Sequence, residues 1–176
     1  MPFNRLKRYP DLLELAHLGE KERKTSLRGI FDRDIAENDA FSYRDCRIYP
    51  IKTDGKMDMD REFAHLTTEE VEEKGECGEI TTHRIYEPYR SERLHWIRPH
   101  VEQKVNDSDI VVFSVKERNQ RKRMDIVRTY VYNRTRKYVI VFEPQTRADN
   151  RAYYLLTAYY LNREYGVKQI EKKLKI

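Results

Sequence analysis

Four short runs of β-branched and aromatic residues lie close together between residues 110 and 161, and this spacing restricts the possible folds more than any other feature. The runs cover residues 110–115, 126–132, 138–142 and 153–161. Too few residues separate them for helical crossovers, so neighbouring strands should pair antiparallel. The loop at residues 133–136 has the length of a hairpin connection. The sequence therefore predicts a four-stranded antiparallel sheet.

A helix is predicted immediately before these strands. Ser91 can cap it, and apolar residues at helical spacing follow at Leu94, Ile97 and Val101. The polar run at 106–109 should end it. A helix followed by four strands indicates an α+β fold, with the helix packed on the sheet.

The first half of the chain is predicted to be mainly helical and irregular. Helices are expected over residues 12–18 and 21–35, and Thr67-Thr68-Glu69-Glu70 is typical of a helix start. Near residue 90 the sequence changes from helical and irregular segments to a helix followed by strand-forming runs. This change predicts two parts, residues 1–89 and 90–176. No stretch is long and apolar enough for a membrane span or a secretory signal, so a cytoplasmic protein is expected.

The two parts differ in charge. Residues 1–89 contain 15 Lys and Arg against 20 Asp and Glu, whereas residues 90–176 contain 20 against 10. The second part, at +10, should attract polyanions such as nucleic acid, or an acidic protein partner.

Strand alternation predicts a functional face on the sheet. Arg128 and Tyr130 fall on the same side of their strand, and the last strand carries Thr157 and Tyr159 on one side. Thr157 is also well suited to an ordinary sheet position. A basic run at 116–123, interpreted as a loop, supplies candidate phosphate contacts. Its five cations are Lys116, Arg118, Arg121, Lys122 and Arg123.

On the preceding helix, His95 and Arg98 lie one turn apart, and Pro99 follows them. His95 has two interpretations, as a histidine packed beside Trp96 or as a residue facing the sheet. If the helix instead begins at Pro99, His100 competes with His95 as the reactive imidazole. The remaining His and Cys residues have no metal-ligand spacing, so neither a metal nor a cofactor is predicted.

The order of four segments resembles the phage and prophage members of the barnase/EndoU/colicin/RelE-like (BECR) ribonuclease group. These segments are residues 93–100, 128–132, 138–144 and 154–160. The resemblance implies a helix on a four-stranded antiparallel sheet and a metal-independent endoribonuclease, often a toxin. It gives His95, Arg128 and Thr157 the places of the helix histidine, the strand arginine and the last-strand hydroxyl. Here Pro99 separates Arg98 from His100, which departs from the group's helix motif.

The predicted reaction is attack of the RNA 2′-hydroxyl on the adjacent phosphorus to give a cyclic phosphate. His95 would act as the base and Arg128 would stabilise the phosphoryl charge, with Thr157, Tyr130 or Tyr159 assisting. Arg98, His100 and the basic run would bind RNA. This site requires His95 and Arg128 to converge on one cleft. The alternatives are a non-catalytic RNA-binding module and an interaction protein that docks an acidic partner such as an antitoxin.

Overall fold

The computed structural model describes residues 2–50, 52–53, 56–147 and 150–176. Its α-helices are α1 (Pro2–Leu6), α2 (Glu20–Phe31), α3 (Met59–Thr67), α4 (Pro88–Ser91), α5 (Ile97–Val101) and α6 (Glu164–Leu174). A π-helical turn covers Asp32–Ala36 and a 3₁₀ turn covers Leu94–Trp96. The strands are β1 (Ser42–Tyr43), β2 (Cys46–Tyr49), β3 (Lys52–Thr53), β4 (Lys56–Met57), β5 (Thr68–Lys74), β6 (Ile80–Tyr86), β7 (Ile110–Asn119), β8 (Met124–Asn133), β9 (Tyr138–Arg147) and β10 (Asn150–Tyr160).

The main sheet has six strands in the order β1-β2-β10-β9-β8-β7. Neighbours among β7 to β10 pair antiparallel, whereas β10 pairs parallel with β2. The fold is consistent with the α+β class, but the sheet is six-stranded and mixed rather than four-stranded and antiparallel as predicted. The additional strands are two and four residues long, too short to show an alternating pattern in the sequence.

A hydrophobic core fills each face of the sheet. The larger core joins the helices and loops that precede β7 to one face, through residues such as Phe31, Trp96 and Ile140. The smaller core lies on the opposite face, where Ile170 of α6 packs near Tyr132 and Val141. Each strand therefore contributes alternate residues to two separate environments.

The predicted division at residue 89 stays a prediction, but packing across it is extensive. Leu15, Phe31 and Tyr43 share the larger core with Ile140 and Leu155. The pairing of β2 with β10 also crosses residue 89. Removing residues 1–89 would therefore expose the core of the remainder.

The single helix predicted over residues 91–105 is wrong. The segment is divided into α4, the 3₁₀ turn and α5, and Pro99 lies inside the five-residue α5. Proline has no amide to donate, so a long regular helix through this position would lose a backbone hydrogen bond. The result is a compact, irregular helical layer rather than one rod.

The helix predicted over residues 12–18 is also wrong, because these residues form a loop. The Asn4 side chain donates to the Glu14 carbonyl at 3.0 Å and accepts from the Glu14 amide at 2.9 Å. Backbone groups are thus satisfied without a helix while Leu13, Leu15 and Leu18 are buried.

The expected helix start at Thr67 is wrong as well, since α3 ends there and β5 begins at Thr68. β5 and β6 form a separate two-stranded ribbon. None of the helices in the described ranges is long and apolar enough to cross a membrane.

Candidate functional site

Four of the five predicted catalytic side chains lie on one face of the sheet, the face that α6 covers. Tyr130 and Thr157 are both cross-strand partners of Val141, and Tyr159 is the partner of Val139. Arg128 lies two residues before Tyr130 and therefore points to the same side. The predicted grouping of Arg128, Tyr130, Thr157 and Tyr159 on a common face is found in the structure.

Two residues that were not predicted, Glu117 and Lys173, contact Arg128 and Tyr130 on this face. We call these four residues the Glu117 cluster. Arg128 Nη1 lies 3.0 Å from Glu117 Oε2, and the Tyr130 hydroxyl donates to Glu117 Oε1 at 2.9 Å. Lys173 of α6 pairs with Glu117 and donates to the Tyr130 hydroxyl at 2.9 Å. The helix that covers this face thus brings a second cation to it.

Glu117 was missed because its segment was interpreted as a basic loop. The structure shows that this interpretation is wrong: residues 116–119 belong to β7, and only residues 120–123 form the turn. Alternation from Val115 would have placed Glu117 on the Arg128 face, since Val115 pairs with Arg128 across the hairpin. No sequence pattern gives the position of Lys173, because it depends on how α6 docks.

The electrostatics of the cluster favour fixed protonation states. Burial alone would raise the pKa of Glu117, but hydrogen bonds from Lys173 and Tyr130 outweigh it and lower that pKa below its ordinary value. Burial raises the pKa of Tyr130, and it raises the pKa of Tyr159 to about 12. At neutral pH the carboxylate is therefore ionised and both phenols are protonated. Tyr130 is also only 2% exposed, so its side chain is not accessible for contact with a nucleic-acid base.

His95 lies on the other side of the sheet. Its neighbours Leu94, Trp96 and Ile97 pack in the larger core with Val131 and Ile140, whereas Tyr130 and Val141 lie in the smaller core. The predicted convergence of His95 and Arg128 on one cleft is therefore wrong. The sequence placed each residue on its own element, but it did not determine which face of the sheet the helical layer would cover.

His95 lines a different feature, a cavity of about 560 Å³ between α1, the π-helical turn and α5. We call it the basic pocket. Its walls include six cations, Arg5, Lys7, Arg8, Arg33, Arg98 and Lys104, and one acid, Asp34. The predicted RNA-binding residue Arg98 lies here, away from the other predicted basic contacts.

The imidazole of His95 is 4% exposed, and both ring nitrogens are buried without a well-aligned hydrogen bond to a described residue. Burial lowers its pKa from 6.5 to about 4, and the nearby backbone of Asp11 only partly opposes this shift. His95 is consequently neutral at physiological pH.

Lowering the pH from 7 to 5 should reduce the free energy of unfolding by about 2 kcal/mol through His95 alone. Its pKa in the folded protein is depressed to about 4, so the unfolded chain takes up protons between about pH 6.5 and 4 while the folded protein does not. Stability is present above this window and is lost as the pH falls through it. Urea denaturation of wild type and His95→Leu at pH 7 and pH 5 measures the effect.

Between pH 7 and pH 5, the free energy of unfolding of His95→Leu should fall by about 2 kcal/mol less than that of the wild type. Part of the pH dependence will persist, because burial also lowers the pKa of His65 to about 4. A variant that retains the whole wild-type pH dependence would contradict the assignment to His95.

His100 is not available to RNA, which corrects its predicted binding role. It is 4% exposed; Nδ1 lies 2.7 Å from the Trp96 carbonyl and Nε2 lies 3.0 Å from the side-chain nitrogen of Asn133. The same nitrogen lies 3.1 Å from the Tyr9 hydroxyl and 2.7 Å from Asp107 Oδ2, so its two N–H groups are shared among three acceptors. We call Tyr9, His100, Asp107 and Asn133 the polar network. It ties the N-terminal segment to the β8–β9 hairpin.

The remaining predicted RNA contacts lie towards the end of the β7–β8 hairpin, in a segment that we call the basic ribbon (residues 116–128). Among the described residues, β8 pairs with β9 from Thr129 to Asn133, and Met124–Arg128 pair only with β7. The Asn119 side chain accepts from the Lys122 amide at 3.0 Å and helps to close the turn. The five predicted cations, Lys116, Arg118, Arg121, Lys122 and Arg123, are all exposed.

Two of these cations have an acidic neighbour. Lys116 and Arg118 lie 3.5 and 3.4 Å from Asp125. Among the described residues, no ion pair involves Arg121, Lys122 or Arg123. The turn thus presents three adjacent charges whose interactions with a polyanion are not offset by carboxylates.

Within the described ranges, no group of three or more His, Cys, Asp or Glu side chains is arranged to hold a metal ion. Comparison with family models, with curated proteins and with solved structures gives no match to this chain.

Proposed function

We propose that the protein binds RNA through the basic ribbon. The observation that carries this proposal is the separation of the end of the β7–β8 hairpin from β9, with three cations at the turn that form no ion pair with a described residue. Cations on a narrow two-stranded ribbon can follow a phosphate backbone, and each contact releases counterions from the nucleic acid. The +10 charge of residues 90–176 supports the same function.

RNA is the proposed polyanion because of the proposed kinship with the BECR group. In support, neighbouring strands from β7 to β10 pair antiparallel, within a sheet that has six strands and is mixed. Phosphate recognition by the ribbon is common to RNA and DNA, so a DNA of the same sequence is the necessary comparison. An acidic inhibitor of the antitoxin kind would compete for the same cations.

A second candidate is a metal-independent endoribonuclease centred on the Glu117 cluster. It is favoured by the position of Arg128 and Lys173 on either side of one carboxylate, on the face that also carries Thr157 and Tyr159. In this scheme Glu117 takes the proton of the RNA 2′-hydroxyl and the 2′-oxygen attacks phosphorus. The bond to the 5′-oxygen breaks, Lys173 protonates that oxygen, and Arg128 stabilises the phosphoryl charge.

Binding is the better supported of the two functions. Arg128, Tyr130 and Lys173 lower the pKa of Glu117, and a strongly stabilised carboxylate is a weak base. The imidazole predicted to serve as the base lies on the opposite face. Catalysis would therefore require Glu117 to act as the base, although its neighbours in the cluster make it a weak one.

One experiment separates the two functions. Labelled single-stranded RNA of about 20 nucleotides is titrated with the protein in excess chelator, and the RNA is then examined on a denaturing gel. We expect salt-sensitive binding with log K falling linearly with log salt, stronger for RNA than for DNA, and intact RNA. Absence of binding at low salt would refute the proposed function.

Cleavage would favour the second candidate if it is lost in Glu117→Gln and Arg128→Ala. The matched control is Glu164→Gln, an exposed carboxylate on α6 that should retain any activity. Cleavage that survives in all three variants would exclude the Glu117 cluster as the site.

A further inference from the structure

The basic pocket has the volume of a small-ligand site and is open to solvent. Its volume of about 560 Å³ falls in the usual range for such sites, roughly 300–1,000 Å³. It shares no residue with the basic ribbon. A concave cavity suits a compact ligand, whereas an extended phosphodiester chain suits the ribbon.

The charge of the basic pocket is strongly positive even after its ion pairs are counted. Lys7 pairs with Glu14 at 3.2 Å, and Glu102 lies 3.1 Å from Arg98 and 2.7 Å from Lys104. Three acids, Asp34, Glu14 and Glu102, thus face six cations, which leaves an excess of three positive charges. Arg5 and Arg8 form no ion pair with any residue that the structure describes.

The Asp34 carboxylate holds the neighbouring arginine side chains in place. Its carboxylate is 4% exposed and is held by Arg33 through two hydrogen bonds of 2.7 and 2.8 Å. Arg98 lies 3.7 Å from the same carboxylate. A buried acid between two arginines fixes the direction of their guanidinium groups, which reduces the entropy lost when an anion binds.

We infer that the basic pocket binds an oligophosphate group, a chain of two or three phosphates. Such a group carries three to four negative charges and matches the three excess positive charges of the pocket. Its source is either a free nucleoside triphosphate or the 5′-triphosphate end of an RNA. Only the RNA source rests on the proposed function.

The test is calorimetric titration of the full chain with inorganic tripolyphosphate at constant ionic strength. Arg5→Ala/Arg8→Ala should bind at least about 10-fold more weakly, because two charge-assisted hydrogen bonds are lost. Both arginines are exposed, and neither forms an ion pair with a described residue, so the fold should persist. The control Lys21→Ala/Lys24→Ala removes two exposed cations from α2, outside the basic pocket, and should bind like the wild type.

Lysine acylation gives a second readout that does not depend on a variant. Tripolyphosphate should protect Lys7 and Lys104 from the reagent and leave Lys21 reactive. Absence of binding by the wild type, equal weakening by both double variants, or equal reactivity of Lys7 and Lys104 with and without tripolyphosphate would overturn the inference.

Two further arms identify the source. Stronger binding of 5′-triphosphate RNA than of 5′-hydroxyl RNA assigns the pocket to an RNA end, whereas equal binding of the two RNAs together with adenosine triphosphate binding assigns it to a free nucleotide. A variant lacking the charges of Arg121, Lys122 and Arg123 should bind tripolyphosphate normally. This comparison distinguishes a failure of RNA binding by the basic ribbon from a failure of oligophosphate binding by the basic pocket.

Discussion

The triple variant Arg121→Ala, Lys122→Ala, Arg123→Ala is expected to bind single-stranded RNA about 100-fold more weakly than the wild type at about 0.1 M salt. Each lost phosphate contact removes a counterion-release contribution of about 0.7 in the slope of log K against log salt. The slope should therefore fall by about 2. Fluorescence anisotropy over a salt series measures both quantities.

The matched control for the ribbon variant is Lys21→Ala, Lys24→Ala, Lys56→Ala, which removes the same charge from exposed positions outside the ribbon. Its affinity should stay within about threefold of the wild type, since only the long-range field changes. Equal weakening of the two triple variants would show that net charge, and not the ribbon, determines binding.

Asn133→Ala is expected to lower the free energy of unfolding by about 3 kcal/mol. The side chain is 0% exposed and lies within hydrogen-bond distance of Tyr9, His100 and Asp107 in the polar network. Its carbonyl also accepts from the Arg136 amide at 3.0 Å. Truncation leaves Nε2 of the buried His100 without its donor and removes one hydrogen bond to Asp107, which keeps that of the Tyr9 hydroxyl. An unpaired buried group costs about 1–3 kcal/mol.

Urea denaturation provides the measurement for Asn133→Ala. The matched control is Asn162→Ala at an exposed position after β10, which should change stability by less than about 0.5 kcal/mol. A loss below about 1 kcal/mol in Asn133→Ala would contradict a supporting role for the polar network.

The strands could be predicted because their signals are local. Alternation and hairpin-length loops located β7 to β10, and the loop predicted at residues 133–136 agrees with the observed turn between Asn133 and Tyr138. Alternation also grouped Arg128 with Tyr130, and Thr157 with Tyr159, on single faces. These properties depend on the geometry of each strand alone.

The relation of the helices to the sheet could not be predicted in the same way. His95 and Arg128 were each placed on the correct segment, but their faces depend on where the helical layer and α6 dock. Docking is decided by the sum of many apolar contacts between distant segments. Lys173 joins Glu117 for this reason, and no spacing in the sequence indicates it.

The N-terminal half shows a second limit. Leu13, Leu15 and Leu18 are buried as helical periodicity suggested, yet Asn4 satisfies the backbone at Glu14 and the segment is a loop. Burial was predictable there, whereas conformation was not, because a distant side chain replaced the helical hydrogen bonds.

Photo-crosslinking of RNA to the full-length chain, with the attached peptides identified by mass spectrometry, tests most directly whether the basic ribbon is the RNA-binding surface. We predict crosslinks within residues 116–128 that disappear in excess unlabelled RNA. Crosslinks confined to other parts of the chain, with none in residues 116–128, would contradict the account.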